Sequence, residues 1–175
     1  RPNVGTYALD GHDVTGLGDD ELARVRREKM GFVFQFFHLV PRLSAEQNIE
    51  LPMMLAGIDP AERRKRLDQL LADYGLEDRA RHRPDQLSGG QCQRVLIAMA
   101  FAGEPALLIA DEPTTALDVT TQAHIVRLIA EQQAQHRTAL LFITHDLRLA
   151  GHVCKSVGVM YAGDMVEFGP AADVL

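Results

Sequence analysis

Two five-residue runs without a polar side chain constrain the fold of this chain most: Ala106-Leu107-Leu108-Ile109-Ala110 and Ala139-Leu140-Leu141-Phe142-Ile143. Short apolar runs that are continuous, not alternating, predict strands of a parallel sheet covered on both faces. A helical stretch from Val119 to Gln135 lies between them. Gly31-Phe32-Val33-Phe34 is a third compact apolar run and predicts another buried strand. Ser156–Tyr161 and Met165–Phe168 predict two more, joined at Gly163-Asp164, and the alternation from Gly5 to Gly11 predicts a short one near the start. Strands interleaved with helices in this order predict an α/β layered sheet.

The sheet pattern is interrupted. From Ser44 to about Arg83 the sequence turns helical. Ser44 with Gln47 three residues on is a capping box, and Pro60 marks a second helix start. Leu67, Leu70, Leu71 and Tyr74 fall on one helical face, which Gly75 closes. Arg63-Arg64-Lys65-Arg66 on that segment reads as a solvated helix face. A short charged helix is also predicted from Asp19 to Arg27, and another from Asp146 to about His152.

Composition narrows the function classes. The 175 residues carry 18 basic and 24 acidic side chains, a net charge of −6, which argues against nucleic acid as the partner. Cys92 and Cys154 have no metal-ligand spacing, as suits a reduced cytoplasmic setting. No apolar run reaches the roughly eighteen residues of a membrane span, and no signal peptide opens the chain.

In open α/β sheets, ligands bind beyond the carboxyl ends of the strands. Gln35, the pair Asp111-Glu112, and His145 each follow a predicted strand there. Asp111 supplies the hard oxygen that suits Mg²⁺. Glu112, displaced off the strand by the turn that Pro113 enforces, can orient a water in line with a terminal phosphate, because phosphoryl transfer needs mainly positioning and electrostatics. His145 is placed to contact that phosphate. Ser88-Gly89-Gly90-Gln91 opens a helix whose free N–H groups and dipole favour an anion. The two glycines permit close approach, and Ser88 and Gln91 can add side-chain hydrogen bonds. Taken singly, an Asp-Glu-Pro is an ordinary turn, Ser-Gly-Gly a plain cap and a histidine after a strand a surface residue; their recurrence at one edge is the signal. Together they predict handling of a nucleoside triphosphate with a metal ion. No Gly-x-x-x-x-Gly-Lys-Ser/Thr phosphate loop occurs in residues 1–175.

These residues resemble the ATP-binding subunits of ABC transporters. Gln86-Leu87-Ser88-Gly89-Gly90-Gln91 is similar to the family signature. Leu107-Leu108-Ile109-Ala110-Asp111-Glu112-Pro113 is similar to Walker B with its glutamate. Ala116-Leu117-Asp118 resembles the D-loop, Gln35 the Q-loop glutamine and His145 the H-loop switch, all in the family's order. The resemblance implies a P-loop NTPase-like, mainly parallel sheet core over residues 1–35 and 86–175 and an inserted α-helical subdomain over 36–85. It implies ATP and Mg²⁺, with Asp111 and Gln35 on the metal, Glu112, His145 and Gln35 catalytic, and Ser88, Gly89, Gly90, Gln91 and Asp118 on nucleotide. It further implies a head-to-tail dimer of two such domains in which Ser88, Gly89 and Gln91 act on the partner's nucleotide. Transmembrane permease subunits would meet Phe36-Phe37-His38-Leu39, on the cytoplasmic inner face of the cell membrane.

The pattern departs from the family in places. The Walker A loop, the aromatic that stacks on adenine and strands of the N-terminal β-subdomain would lie upstream of Gly5, so the domain reads as partial, truncated before Walker A. The 175 residues alone are therefore expected neither to bind ATP tightly nor to hydrolyse it. Family members usually continue past Leu175 into more helix, and Cys92 stands where Gln or Lys is commoner. The Phe36–Pro52 segment resembles the lipoprotein-release and macrolide-efflux group. Ile109–Gln122 and Met160-Tyr161-Ala162-Gly163 resemble the dipeptide, oligopeptide and nickel import group, so the transported substrate stays open. The competing readings are a soluble ABC-type ATPase, ribosome-associated or in DNA repair, and a non-catalytic interaction module. Gln35 and Ser88 are 88 − 35 = 53 residues apart, too close for the long coiled coil of the DNA-repair type.

Overall fold

The computed structural model describes residues 5–115 and 117–175. A small hairpin, β1 (Ala8–Leu9) and β2 (His12–Asp13), leads to helix α1 (Asp19–Lys29), with three acids in its first turn and three bases in its last, as the helix dipole favours. Strand β3 (Met30–Val33) follows, then α2 (Ala45–Leu55) and α3 (Pro60–Asp73). Two 3₁₀ turns, Glu77–Arg79 and Pro84–Gln86, lead to α4 (Gly89–Phe101). Then come β4 (Leu107–Asp111), α5 (Val119–His136), β5 (Ala139–Ile143), α6 (Leu147–Val153), the hairpin β6 (Ser156–Tyr161) and β7 (Asp164–Pro170), and α7 (Ala171–Val174).

The local signals act as their chemistry requires. Ser44 and Gln47 form the capping box of α2. Asp59 caps α3 ahead of Pro60, and Gly75 takes a left-handed φ of +58° just past that helix. Ala162 and Gly163, both with positive φ, close the β6–β7 hairpin, the backbone that matches strand twist. The alternation at the start yields two short paired strands, not one.

β3, β4 and β5 form a parallel three-stranded sheet in the order β3-β4-β5, with Val33 beside Ala110 and Ala110 beside Phe142. Period two puts Gly31, Val33, Leu108, Ala110, Leu140 and Phe142 on one face. That face packs into one hydrophobic cluster with α2, α3, α4 and α5, including Ile49, Leu70, Ile97, Phe101 and Ile129. The expectation that these strands are buried on both faces is corrected here. Phe32 and Ile109 on the other face are half-buried, and Leu141 and Ile143 are 50% and 44% exposed. None of these four residues belongs to the buried hydrophobic cluster. No helix among the described residues is long and apolar enough to cross a membrane.

α4 lies so close to β3 that a Cβ at Gly31 would sit 2.5 Å from the Ala100 carbonyl oxygen. The contact lies in the last turn of α4, and the Ser88–Gln91 segment opens the same helix at its other end.

Candidate functional site

The parallel ladder brings the strand-end residues together. Asp111 is the last residue of β4, paired with Ile143. Glu112 follows it, His145 comes two residues after Ile143, and Gln35 two after Val33. All four therefore lie at the carboxyl edge of one sheet, in the placement the sequence predicts. Asp111 is exposed. Its hard carboxylate oxygen and the Gln35 amide oxygen at the same edge fit a cation that takes one or two protein oxygens and completes its shell with water and phosphate.

Glu112 leaves the strand on a left-handed backbone, φ +46°. For a residue with a side chain this costs about 1–2 kcal/mol, and the position before a proline is itself restricted. The turn thus arises from Glu112's own backbone, with Pro113 next. Cross-links hold it. The Glu112 N–H donates to the Ile143 carbonyl at 2.9 Å. The Gln93 amide, fully buried on α4, donates to the Pro113 carbonyl. The Gln122 amide on α5 donates to the Thr114 carbonyl at 2.9 Å.

The Glu112 carboxylate is engaged at both oxygens. His145 Nδ1–H donates to Oε1 at 2.9 Å and the Thr115 hydroxyl donates to Oε2 at 2.8 Å. The His145 bond and then the Thr115 bond hold the Glu112 carboxyl below its ordinary range. The same Glu112 contact raises His145 above the ordinary imidazole value and favours the imidazolium. An imidazolium spent on Glu112 at Nδ1 still carries a proton on Nε2, and the His145 side chain is 72% exposed. The site therefore offers an anionic carboxylate, an outward N–H donor beside it and an oxygen donor set one residue away.

The Ser88–Gln91 segment opens α4 as expected, but its side chains are partly occupied with one another. Ser88 Oγ accepts the Gln91 N–H at 3.3 Å, and Gln91 Oε1 accepts the Ser88 N–H at 2.8 Å. This capping box pre-orders the turn and leaves the Gly89 and Gly90 N–H groups at the helix mouth. A cavity of about 600 Å³ opens there, between Ser88, Gly89, Gly90 and the start of α5 at Asp118, Thr121 and His124. Asp118 is the N-cap of α5, accepting Thr121 N–H at 3.0 Å and Thr121 O–H at 2.6 Å. These bonds hold its carboxyl below the usual range. Ala116 of the predicted D-loop lies outside the described residues. Gln35, Asp111, Glu112 and His145 do not line this cavity. Of the predicted site residues, Ser88, Gly89, Gly90 and Asp118 line it.

Of the aromatics after Gln35, Phe36 is 66% exposed and Phe37 is half-buried against the core. Phe37 also reaches toward Gly89. A second cavity of about 460 Å³, lined by Phe34, His38, Leu51, Leu55 and Met99 among others, runs between α1, α2 and α4.

Sequence reasoning missed Thr115, Gln93 and Gln122. A hydroxyl three residues after the acid was a readable signal for Thr115. The two glutamines act across 20 and 8 residues, and nothing in their local sequence marks the carbonyls they serve.

A parallel sheet with acids and a histidine at its carboxyl edge, helices inserted before a glycine-rich helix mouth, and a cavity at that mouth are the architecture of an α/β nucleotide-handling cassette. Residues 1–115 match the ABC transporter family, and the chain belongs to it. It is 49% identical over 150 residues to the uncharacterized ABC transporter ATP-binding protein YknY of Bacillus subtilis (strain 168), covering 86% of this chain and 65% of that one. It is 44% identical over 167 residues to the macrolide export ATP-binding/permease protein MacB of Marinobacter nauticus, covering 95% of this chain and 26% of that protein. The methionine import ATP-binding protein MetN of Corynebacterium diphtheriae is 42% identical over 173 residues, 99% of this chain and 51% of that one. The dimeric post-hydrolysis structure of the ATP-binding cassette MJ0796 bound to ADP and Pi superposes with a TM-score of 0.82 at 38% identity, over 98% of this chain and 75% of that chain. The chain thus spans just under two thirds of the first of these relatives and about a quarter of the macrolide exporter.

Proposed function

We propose that this chain belongs to an ATP-binding subunit that hydrolyses ATP and powers transport of a substrate across a membrane by an ABC transporter. The observation that carries the reading is the separation of the two half-sites. Ser88, Gly89, Gly90 and Asp118 line one cavity, and Asp111, Glu112 and His145 are not among its lining residues. Two half-sites that do not converge within a chain become complete when two chains pack head to tail. The MJ0796 cassette, similar over 98% of this chain, is dimeric, which supports pairing of two such chains.

In this reading Asp111 and Gln35 hold Mg²⁺, which offsets charge on the phosphates when bound. The anionic Glu112 orients the attacking water toward the terminal phosphorus. His145, paired to Glu112 through Nδ1, donates from Nε2 to a terminal phosphate oxygen. Ser88, Gly89, Gly90 and Gln91, with Asp118, meet the nucleotide of the facing chain. Residues 36–85 act as the helical subdomain on a core of 1–35 and 86–175. The exposed Phe36 and the cavity between α1, α2 and α4 receive transmembrane permease subunits, which places the protein on the cytoplasmic inner face of the cell membrane. Light scattering tests the shared site. Full-length protein carrying Glu112→Gln is expected to dimerise with ATP and to stay monomeric with ADP; a monomer under both conditions contradicts the reading.

A further inference from the structure

The two contacts on the Glu112 carboxylate are of different kinds. His145 comes from another element, the loop after β5, on an exposed side chain. Thr115 is on the same turn as Glu112, and its N–H reaches back to the Glu112 carbonyl at 3.4 Å. That reversal lays the Thr115 hydroxyl against Glu112 Oε2 at 2.8 Å. The turn is anchored on either side of Thr115's reach: Glu112 N–H is tied to β5, Pro113 to α4 and Thr114 to α5. Threonine adds stiffness of its own, since its branched Cβ restricts χ1. A glutamate's last torsion, by contrast, is broad and roughly two-fold, so an untethered carboxylate rotates freely about it.

We propose that Thr115 is a positioning residue for ATP hydrolysis: its hydroxyl fixes the rotation of the Glu112 carboxylate so that Oε1 faces the His145 side, where the attacking water is held. This rests on Glu112 being the water-orienting residue. Thr115 does not touch nucleotide in this account and acts only through Glu112. Its side chain is exposed, so replacing the hydroxyl disturbs no packing.

The test is steady-state kinetics and ATP binding on the full-length protein carrying Thr115→Val, Thr115→Ser or Glu112→Gln. Losing one hydrogen bond to a charged group predicts that Thr115→Val lowers kcat about 10–100-fold. Its Kd for ATP stays within about threefold of wild type, because the lost interaction serves the transition state and not ground-state binding. Thr115→Ser, which keeps the hydroxyl, restores kcat to within a few-fold of wild type. Wild-type kcat in Thr115→Val alongside an inactive Glu112→Gln overturns the role of Thr115 alone. So does an equal loss in Thr115→Ser, or a loss of ATP affinity as large as the loss of kcat. An active Glu112→Gln overturns the reading of Glu112, and the role of Thr115 with it.

Discussion

Glu112→Gln in the full-length protein is expected to lower ATP turnover by about 10²–10⁴-fold, the range a positioned acid–base group contributes, while ATP binding is retained. The substitution keeps the shape of the side chain and removes its charge. The amide can still accept from Thr115 or His145, so the turn at Glu112, pinned by Ile143, Gln93 and Gln122 through backbone atoms, stays as it is. What is lost is the anion beside the water and the partner that raises His145 above its ordinary value. Turnover within a few-fold of wild type in a coupled phosphate-release assay would show that Glu112 does not orient the water.

Gly31→Ala has the largest expected effect on stability. The added methyl meets the Ala100 carbonyl oxygen at 2.5 Å and the Leu108 side chain at 3.1 Å. A backbone oxygen cannot rotate away, so α4 must move off β3. Overpacking of this kind costs about 1–3 kcal/mol and occasionally more, here with a helix carbonyl as the obstacle. At the scaling for a domain of this size the cost lowers the melting temperature by roughly 2–12 °C. Gly103→Ala is the control: nothing lies within 4 Å of its added methyl, and its effect should stay within about 0.5 kcal/mol. Thermal unfolding of the two variants side by side settles the comparison. Equal melting temperatures would show that α4 is not held against the sheet at Gly31.

Much of this site was legible because strand ends are legible. The apolar runs stop at Asp111 and Ile143, and a parallel register then places whatever follows them at one edge. The Ser44–Gln47 box was readable for the same local reason, a cap and its partner three residues apart; at Ser88 and Gln91 the same spacing reads as a pair of anion ligands, and the structure shows the two side chains bonded to each other's backbone. The second face of the sheet was not readable. An apolar Leu141 or Ile143 states that the face avoids water and does not state what covers it. Nor was the left-handed backbone of Glu112, since its sequence position, before a proline, favours extended conformations. That backbone brings Thr115 back onto the carboxylate, and it is kept by carbonyls that Gln93 and Gln122 reach from two different helices. Contacts of that kind follow from packing, which periodicity does not encode.

The central claim is that the signature segment of one chain and the Asp111–Glu112 pair of another complete one site. Mixing two inactive full-length variants tests it most directly: Glu112→Gln, with its signature intact, and Gly89→Asp, which sets an acid at the anion-binding helix mouth and keeps its own Glu112. If the site is shared, each mixed dimer holds one site with both lesions and one with neither, and mixing restores a substantial fraction of wild-type turnover. If Ser88–Gln91 serves the nucleotide of its own chain, every site in the mixture carries one lesion, and the mixture stays as inactive as its parts.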